Sequence, residues 1–172
     1  MKRVFTIADL SCGAGLASRG VIDGLQAFGL KCRVLTAVDP WGPAVNSYAA
    51  NVPEAVRGAV MQTTTEEALA RGLVPKVDLV ITGPPCIRDS TLTKCKLGVV
   101  TDRSAEMAEI KYAAREIGAA QGRLVAMETV GLTWIPWGNM LGFRSVRLQD
   151  SALGGFTVRR RTFLLSPQIN PQ

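Results

Sequence analysis

The sequence predicts an α/β fold, a doubly wound, mostly parallel sheet with an antiparallel edge strand. Three observations predict it. Short apolar runs of strand length recur at VFTIADL, CRVLTAVD, VDLVIT and RLVAMETV. Segments with helical spacing or helix-start chemistry lie between them, and strands joined through helices pair in parallel. The last two β-rich segments, 142–148 and 158–165, are too close for an intervening helix, so they form a hairpin-like antiparallel pair.

The elements follow in chain order. The first strand, 4–10, carries Asp9 near its end and runs into the turn SCGAG. Leu16, Val21, Leu25 and Phe28 then give a helical apolar pattern that Gly29 stops. A second strand covers 32–39 and ends on Asp39. A short helix at 43–50 is broken by Asn51 and Pro53, and a weak strand is expected at 56–61. Glu66 and Glu67 suit the positive end of a helix at 65–71. The strand at 77–82 is the clearest, closed by Gly83-Pro84-Pro85. A polar loop follows over 86–102, and long loops of this kind in compact domains are often functional. A helix at 104–120 and a strand at 123–130 complete the alternation before the hairpin. One domain spans 1–166, and 167–172 is a frayed tail.

Composition narrows the function. The chain has 172 residues, 47% hydrophobic and 20% charged, with mean hydropathy +0.17. That excludes a disordered chain, and a chain of this size buries roughly 70% of its unfolded surface. No apolar run reaches the ~18 residues of a membrane span, so no membrane partner is expected. No signal-peptide pattern is present, which points to the cytoplasm, or the host cytoplasm for a phage-encoded protein. Cys12, Cys32, Cys86 and Cys95 form no CxxC pair, and there is no histidine. A zinc site therefore lacks ligands, and no metal is expected. Histidine-based triads and dyads are excluded as well. The net charge of +6 suits a polyanionic partner such as nucleic acid.

In a doubly wound sheet, ligands bind beyond the carboxyl ends of the strands. The turn Asp9-Leu10-Ser11-Cys12-Gly13-Ala14-Gly15 lies there, leading into Leu16. Asp39, followed by Pro40, closes the second strand. A carboxylate at that position either accepts hydrogen bonds from ribose hydroxyls or caps the next helix. Turn and acid in this order point to an adenosine-containing ligand. The lack of a third loop glycine and of a Walker lysine favours a nucleoside over a pyrophosphate. Cys86 follows the clearest strand through two prolines, and its thiolate is the candidate nucleophile. Arg88, Arg159 and Arg161 are candidates to stabilise that thiolate. Cys12, Cys32 and Cys95 read as packed thiols. Glu128 ends the fifth strand and can bond a ring nitrogen of a base. Strand alternation puts Arg159 and Arg161 on one face and Arg160 on the other.

Together these segments resemble the cytosine-C5 DNA methyltransferase family, over 4–165. DLSCGAG is similar to its first motif, AVDPWGPAVNSYAANVPEA to its second, and DLVITGPPCIRDS to its catalytic proline-cysteine motif. ETV resembles the family's ENV, TVRRR its QxRxR, and Asp102-Arg103 a further motif. The resemblance implies a Rossmann-like S-adenosylmethionine-dependent methyltransferase sheet. It implies methyl transfer from S-adenosylmethionine to cytosine in DNA, leaving S-adenosylhomocysteine. Cys86 would attack C6, Glu128 would bind the N3/N4 edge, and Arg161 with Arg159 would bind near O2. Asp9, the loop from Ser11 through Cys12, Gly13, Ala14 and Gly15 to Leu16, Asp39 with Pro40, and Gly83 with Pro85 would hold the cofactor. Pro84, Ser90, Lys94 and Lys96 would contact the substrate.

The sequence departs from the family pattern at several positions. Ser11 stands where an aromatic is usual, and Ala59 where an acid is expected for the adenine amine. Ile87, Thr129 and Thr157 replace polar amides. No target-recognition domain is expected within these residues. Three readings follow from the residues. One is a minimal or split DNA methyltransferase, with recognition supplied by a second subunit or a homo-oligomer. Another is a non-catalytic relative binding nucleic acid or a protein partner. The third is an enzyme acting on RNA or free cytidine nucleotide.

Overall fold

The computed structural model of the chain describes residues 4–83, 124–129, 135–140, 142–154 and 160–166. In order, the elements are β1 (Val4–Leu10), α1 (Leu16–Ala27), β2 (Lys31–Asp39), α2 (Gly42–Asn51), β3 (Val60–Gln62), α3 (Thr65–Ala70) and β4 (Leu79–Thr82). They continue with β5 (Leu124–Thr129), α4 (Ile135–Met140), β6 (Arg144–Gln149), a 3-10 turn (Asp150–Leu153) and β7 (Arg160–Leu165). The strands form one seven-stranded sheet in the order β3-β2-β1-β4-β5-β7-β6.

The first five strands of that order are mutually parallel. β7 runs antiparallel to both β5 and β6. The expected antiparallel pair is therefore present, with β7 inserted between β5 and the edge strand β6. Strand order reverses between β1 and β4, and the crevice beyond their carboxyl ends is where such sheets bind ligands.

Central strands are buried on both faces, which is why they read as near-continuous apolar runs. All four residues of β4 are buried, as are the last four of β1. Alternation then sorts their side chains into two cores. Ile7, Ile22, Val34, Tyr48, Val52 and Ile81 pack on one side of the sheet. Ala8, Leu10, Val38, Ala68, Val80 and Val125 pack on the other.

Several boundaries move for physical reasons. The stripe expected on α1 holds at Val21 and Leu25, which pack against the core, and fails at its ends: Leu16 is 75% and Phe28 is 87% exposed, while Ser18 and Ile22 are buried. A serine is tolerated on the core face because its hydroxyl finds a buried carboxylate, described below. β3 is shorter than the expected 56–61, because 56–59 makes a turn closed by Ala59 N–H donating to Val56 O (2.9 Å). α3 is entered by Thr64, whose hydroxyl accepts from Glu67 N–H (3.1 Å), the near half of a capping box. Helix α4 and the 3-10 turn have no counterpart in the sequence reading. The expected loop at 86–102, helix at 104–120 and tail at 167–172 lie outside the described residues. Among the described residues, no helix is long and apolar enough to cross a membrane.

Candidate active site

The loop between β1 and α1 folds back over the switch point. Cys12 N–H donates to Val38 O (2.9 Å), which ties the loop to β2. Ser11 (φ 57), Gly13 (φ 52) and Gly15 (φ 83) all adopt left-handed backbone. Such a conformation costs a non-glycine residue about 1–2 kcal/mol, so Ser11 carries local strain. Gly15 is required by packing too: a Cβ there would lie 2.8 Å from both Tyr48 and Val52. At Gly13 the opposite holds, since an added Cβ meets nothing within 4 Å. The loop thus leaves open space above Gly13. Asn51, from the end of α2, donates to Ala14 O (2.8 Å) and steadies the loop from outside.

Asp39 faces this loop from β2. Its Oδ2 accepts from Gly13 N–H and its Oδ1 from Trp41 N–H, each at 2.9 Å. The residue therefore organises both the glycine loop and the entry to α2, whose N-cap is Trp41. A carboxylate offers about four lone-pair sites, so both oxygens retain capacity for ribose hydroxyls. Pro40 is exposed beside it. Two neighbours were not singled out from sequence. The Trp41 side chain is 67% exposed next to Asp39, and Gln62 at the end of β3 donates to Pro40 O (3.3 Å). The Asp-Pro-Trp run was the available signal for Trp41. Ala59 is buried, so its methyl presents no polar group to the cleft.

Asp9 lies beneath the loop, only 2% exposed. Ser18 Oγ donates to Asp9 Oδ2 (2.6 Å), and Tyr48 Oη donates to Ser18 Oγ (2.8 Å). This buried chain joins β1, α1 and α2. Desolvation outweighs these hydrogen bonds and, helped by the Asp39 charge, raises the Asp9 carboxyl from 3.8 to about 7. Cys12 is also buried, and desolvation with the charges of Asp9 and Asp39 pushes its thiol well above the usual range. Cys12 is therefore a neutral, packed thiol.

On the other side of the switch point, Glu128 Oε1 pairs with Arg161 Nε across β5 and β7. Both side chains stay partly accessible, at 29% and 21%. Gly83, directly after β4, links the two halves. A Cβ built on it would lie 3.7 Å from Ser11 O and 3.8 Å from Glu128 Oε2. The glycine loop, the exit of β4 and the Glu128 carboxylate thus converge within a few ångströms. A cavity of about 300 Å³ opens beside them, lined by Leu16, Ala17, Ile81, Ala126, Glu128 and Phe163 among others. Among the described residues of that lining, Glu128 is the charged one. Thr129 is fully buried. Among the described residues, no group of three or more cysteines and acids could hold a metal ion. Pro84, Pro85, Cys86, Ser90, Lys94, Lys96 and Arg159 lie outside the described residues.

The seven-stranded sheet, parallel except at β7, is a fold shared with solved class I S-adenosylmethionine-dependent methyltransferases. Solved structures agree on the fold. An Escherichia coli prophage protein described as a DNA modification methyltransferase superposes with TM-score 0.60 at 21% identity, over 94% of this chain and 46% of its own. NSun6 from Pyrococcus horikoshii, solved with the S-adenosylmethionine analogue SFG, gives 0.60 at 14% identity, over 98% and 49%. A Listeria monocytogenes protein described as a class I S-adenosylmethionine-dependent methyltransferase gives 0.58 at 16% identity, over 100% and 57%. The chain thus spans about half the length of these structures. By sequence, it matches no family model and no curated protein.

Proposed function

We propose that this chain is the catalytic core of a cytosine-C5 methyltransferase that acts on cytosine in DNA with S-adenosylmethionine. The observation that carries the reading is the convergence at Gly83. The strand that leads to the sequence Pro84-Pro85-Cys86 ends 3.7–3.8 Å, measured from a Cβ built on Gly83, from both the glycine loop and Glu128. The resemblance requires a cofactor loop and a base-binding acid at the end of the strand that leads in sequence to the nucleophile.

The residues present fit the cofactor. The space above Gly13 is open, and Asp39 retains acceptor capacity toward it. Asp39 would hold the ribose hydroxyls, and backbone groups of the loop would hold the amino-acid end. When bound, S-adenosylmethionine supplies the methyl group.

The chain's own residues then have these tasks. The Cys86 thiolate adds to C6 of cytosine, forming an S–C6 bond and sending an electron pair to C5. Glu128 bonds the N3/N4 edge, where negative charge develops. Arg161 orients the Glu128 carboxylate and presents its guanidinium near O2. After C5 is methylated, its proton leaves to a base. The electron pair of the C5–H bond re-forms the ring double bond and expels the thiolate. In a duplex, the target base must first leave the stack. A second subunit or a homo-oligomeric partner supplies target recognition in this reading.

A duplex containing 5-fluorocytosine tests the proposal, because fluorine at C5 cannot leave as a proton does. With S-adenosylmethionine present, intact-protein mass spectrometry should find a covalent adduct on the native chain and none on Cys86→Ser. Cofactor binding without any adduct would overturn the reading.

A further inference from the structure

We infer that the outer end of the β6–β7 hairpin is a docking face for the phosphate backbone of duplex DNA, with Arg147 and Arg160 as its contacts. This inference rests on the DNA-directed reading above and names how that substrate is held. Strands β6 and β7 carry Arg144, Arg147, Arg160 and Arg161 and no acid, and Asp150 directly after β6 is the single acid in 142–154 and 160–166. These arginines divide by alternation. Arg161 turns to the face of Glu128 and pairs with it. Arg147 and Arg160 project from the opposite face, where Arg147 pairs in register with Thr162 and Gln149 with Arg160. That makes them diagonal neighbours, roughly 7–8 Å apart at Cα, close enough for two flexible stems to engage neighbouring phosphates.

The same face is half covered. Helix α4 packs on its Leu164 end, since a Cβ on Gly138 would lie 3.0 Å from the Leu164 side chain. The other end is open, and both Arg147 and Arg160 are exposed. Arg160 is also held in place: its Nε donates to Gln149 Oε1 (2.7 Å), while Gln149 Nε2 donates to Ser151 Oγ (2.7 Å). That chain orients the guanidinium and reduces the entropy lost when its remaining N–H groups bind an anion. Arg147 makes no ion pair among the described residues. A planar fork of donors matches a phosphate bidentately. β7 runs antiparallel to β5, so Arg160 at its start lies at the same edge of the sheet as Glu128, on the opposite face, and a backbone flanking the target base would cross that edge.

The test is the salt dependence of binding to a mixed-sequence DNA duplex, read by fluorescence anisotropy on the full chain. Removing two phosphate contacts should flatten the slope of log K against log [KCl] by about 1.8. Arg147→Ala/Arg160→Ala should show that change with unaltered S-adenosylhomocysteine affinity. Lys31→Ala/Arg33→Ala removes the same charge from exposed positions at the amino end of β2 and should leave the slope nearly unchanged. Equal slopes for the native chain and Arg147→Ala/Arg160→Ala would overturn the inference alone and leave these arginines as guards of an edge strand. Equal flattening by both double variants would also overturn it, by showing a general charge effect. Absence of duplex binding by the native chain would overturn this inference and the DNA-directed reading together.

Discussion

Replacing Asp9 with asparagine should stabilise the protein at alkaline pH and leave it unchanged at acid pH. The carboxyl is buried at 2% exposure, and its folded value is about 7 against 3.8 for the free group. Between those values the folded chain binds a proton that the unfolded chain has released, so stability falls as pH rises across that window. Above it, the ionised group imposes its full cost. Three units at about 1.4 kcal/mol each give ~4 kcal/mol. Asparagine keeps an acceptor for Ser18 Oγ and carries no charge. Urea unfolding of both proteins from pH 4 to pH 8.5 measures the difference. It should be near zero at pH 4 and grow to ~4 kcal/mol in favour of asparagine by pH 8.5. A pH-independent difference, or a less stable variant at pH 8.5, would refute the account of a desolvated Asp9.

Other substitutions test neighbouring parts of the site. Gly15→Ala combines left-handed backbone with overlap on Tyr48 and Val52, so chemical denaturation should show a loss of about 2–5 kcal/mol; a neutral result would contradict the packing. Asp39→Ala removes the acceptor for Gly13 and Trp41 N–H, and calorimetry should find S-adenosylhomocysteine bound about 10–100-fold more weakly. Unchanged affinity would remove Asp39 from the cofactor site. Arg161→Ala unpairs Glu128 and should lower kcat about 100–1000-fold with cofactor affinity preserved; a preserved kcat would leave the ion pair purely structural.

The parallel strands were legible because burial on both faces makes their sequences nearly continuous in apolar residues. The strand-end positions of Asp39 and Glu128 were legible because each acid closes an apolar run. The burial of Ser18 on α1 was not, since a serine counts as polar in any periodicity and only its contact with Asp9 makes it a core residue. Asp9 shows the converse. It reads as a cleft acid from its place in the glycine turn, yet alternation along β1 turns it inward under the loop. Gln62 went unnoticed because its contact with Pro40 depends on β2 and β3 lying side by side. Arg160 was placed on its face by alternation, but its orientation by Gln149 depends on the hairpin register.

The central claim is methyl transfer to C5 of cytosine through Cys86. Nucleoside mass spectrometry of mixed-sequence duplex DNA, after incubation with the purified chain and S-adenosylmethionine, measures it directly. The account predicts 5-methylcytosine from the native protein, together with any recognition partner that co-purifies, and none from Cys86→Ala. Equal 5-methylcytosine from Cys86→Ala would contradict the covalent mechanism. Its absence from a native protein that binds both cofactor and DNA would contradict the assigned reaction.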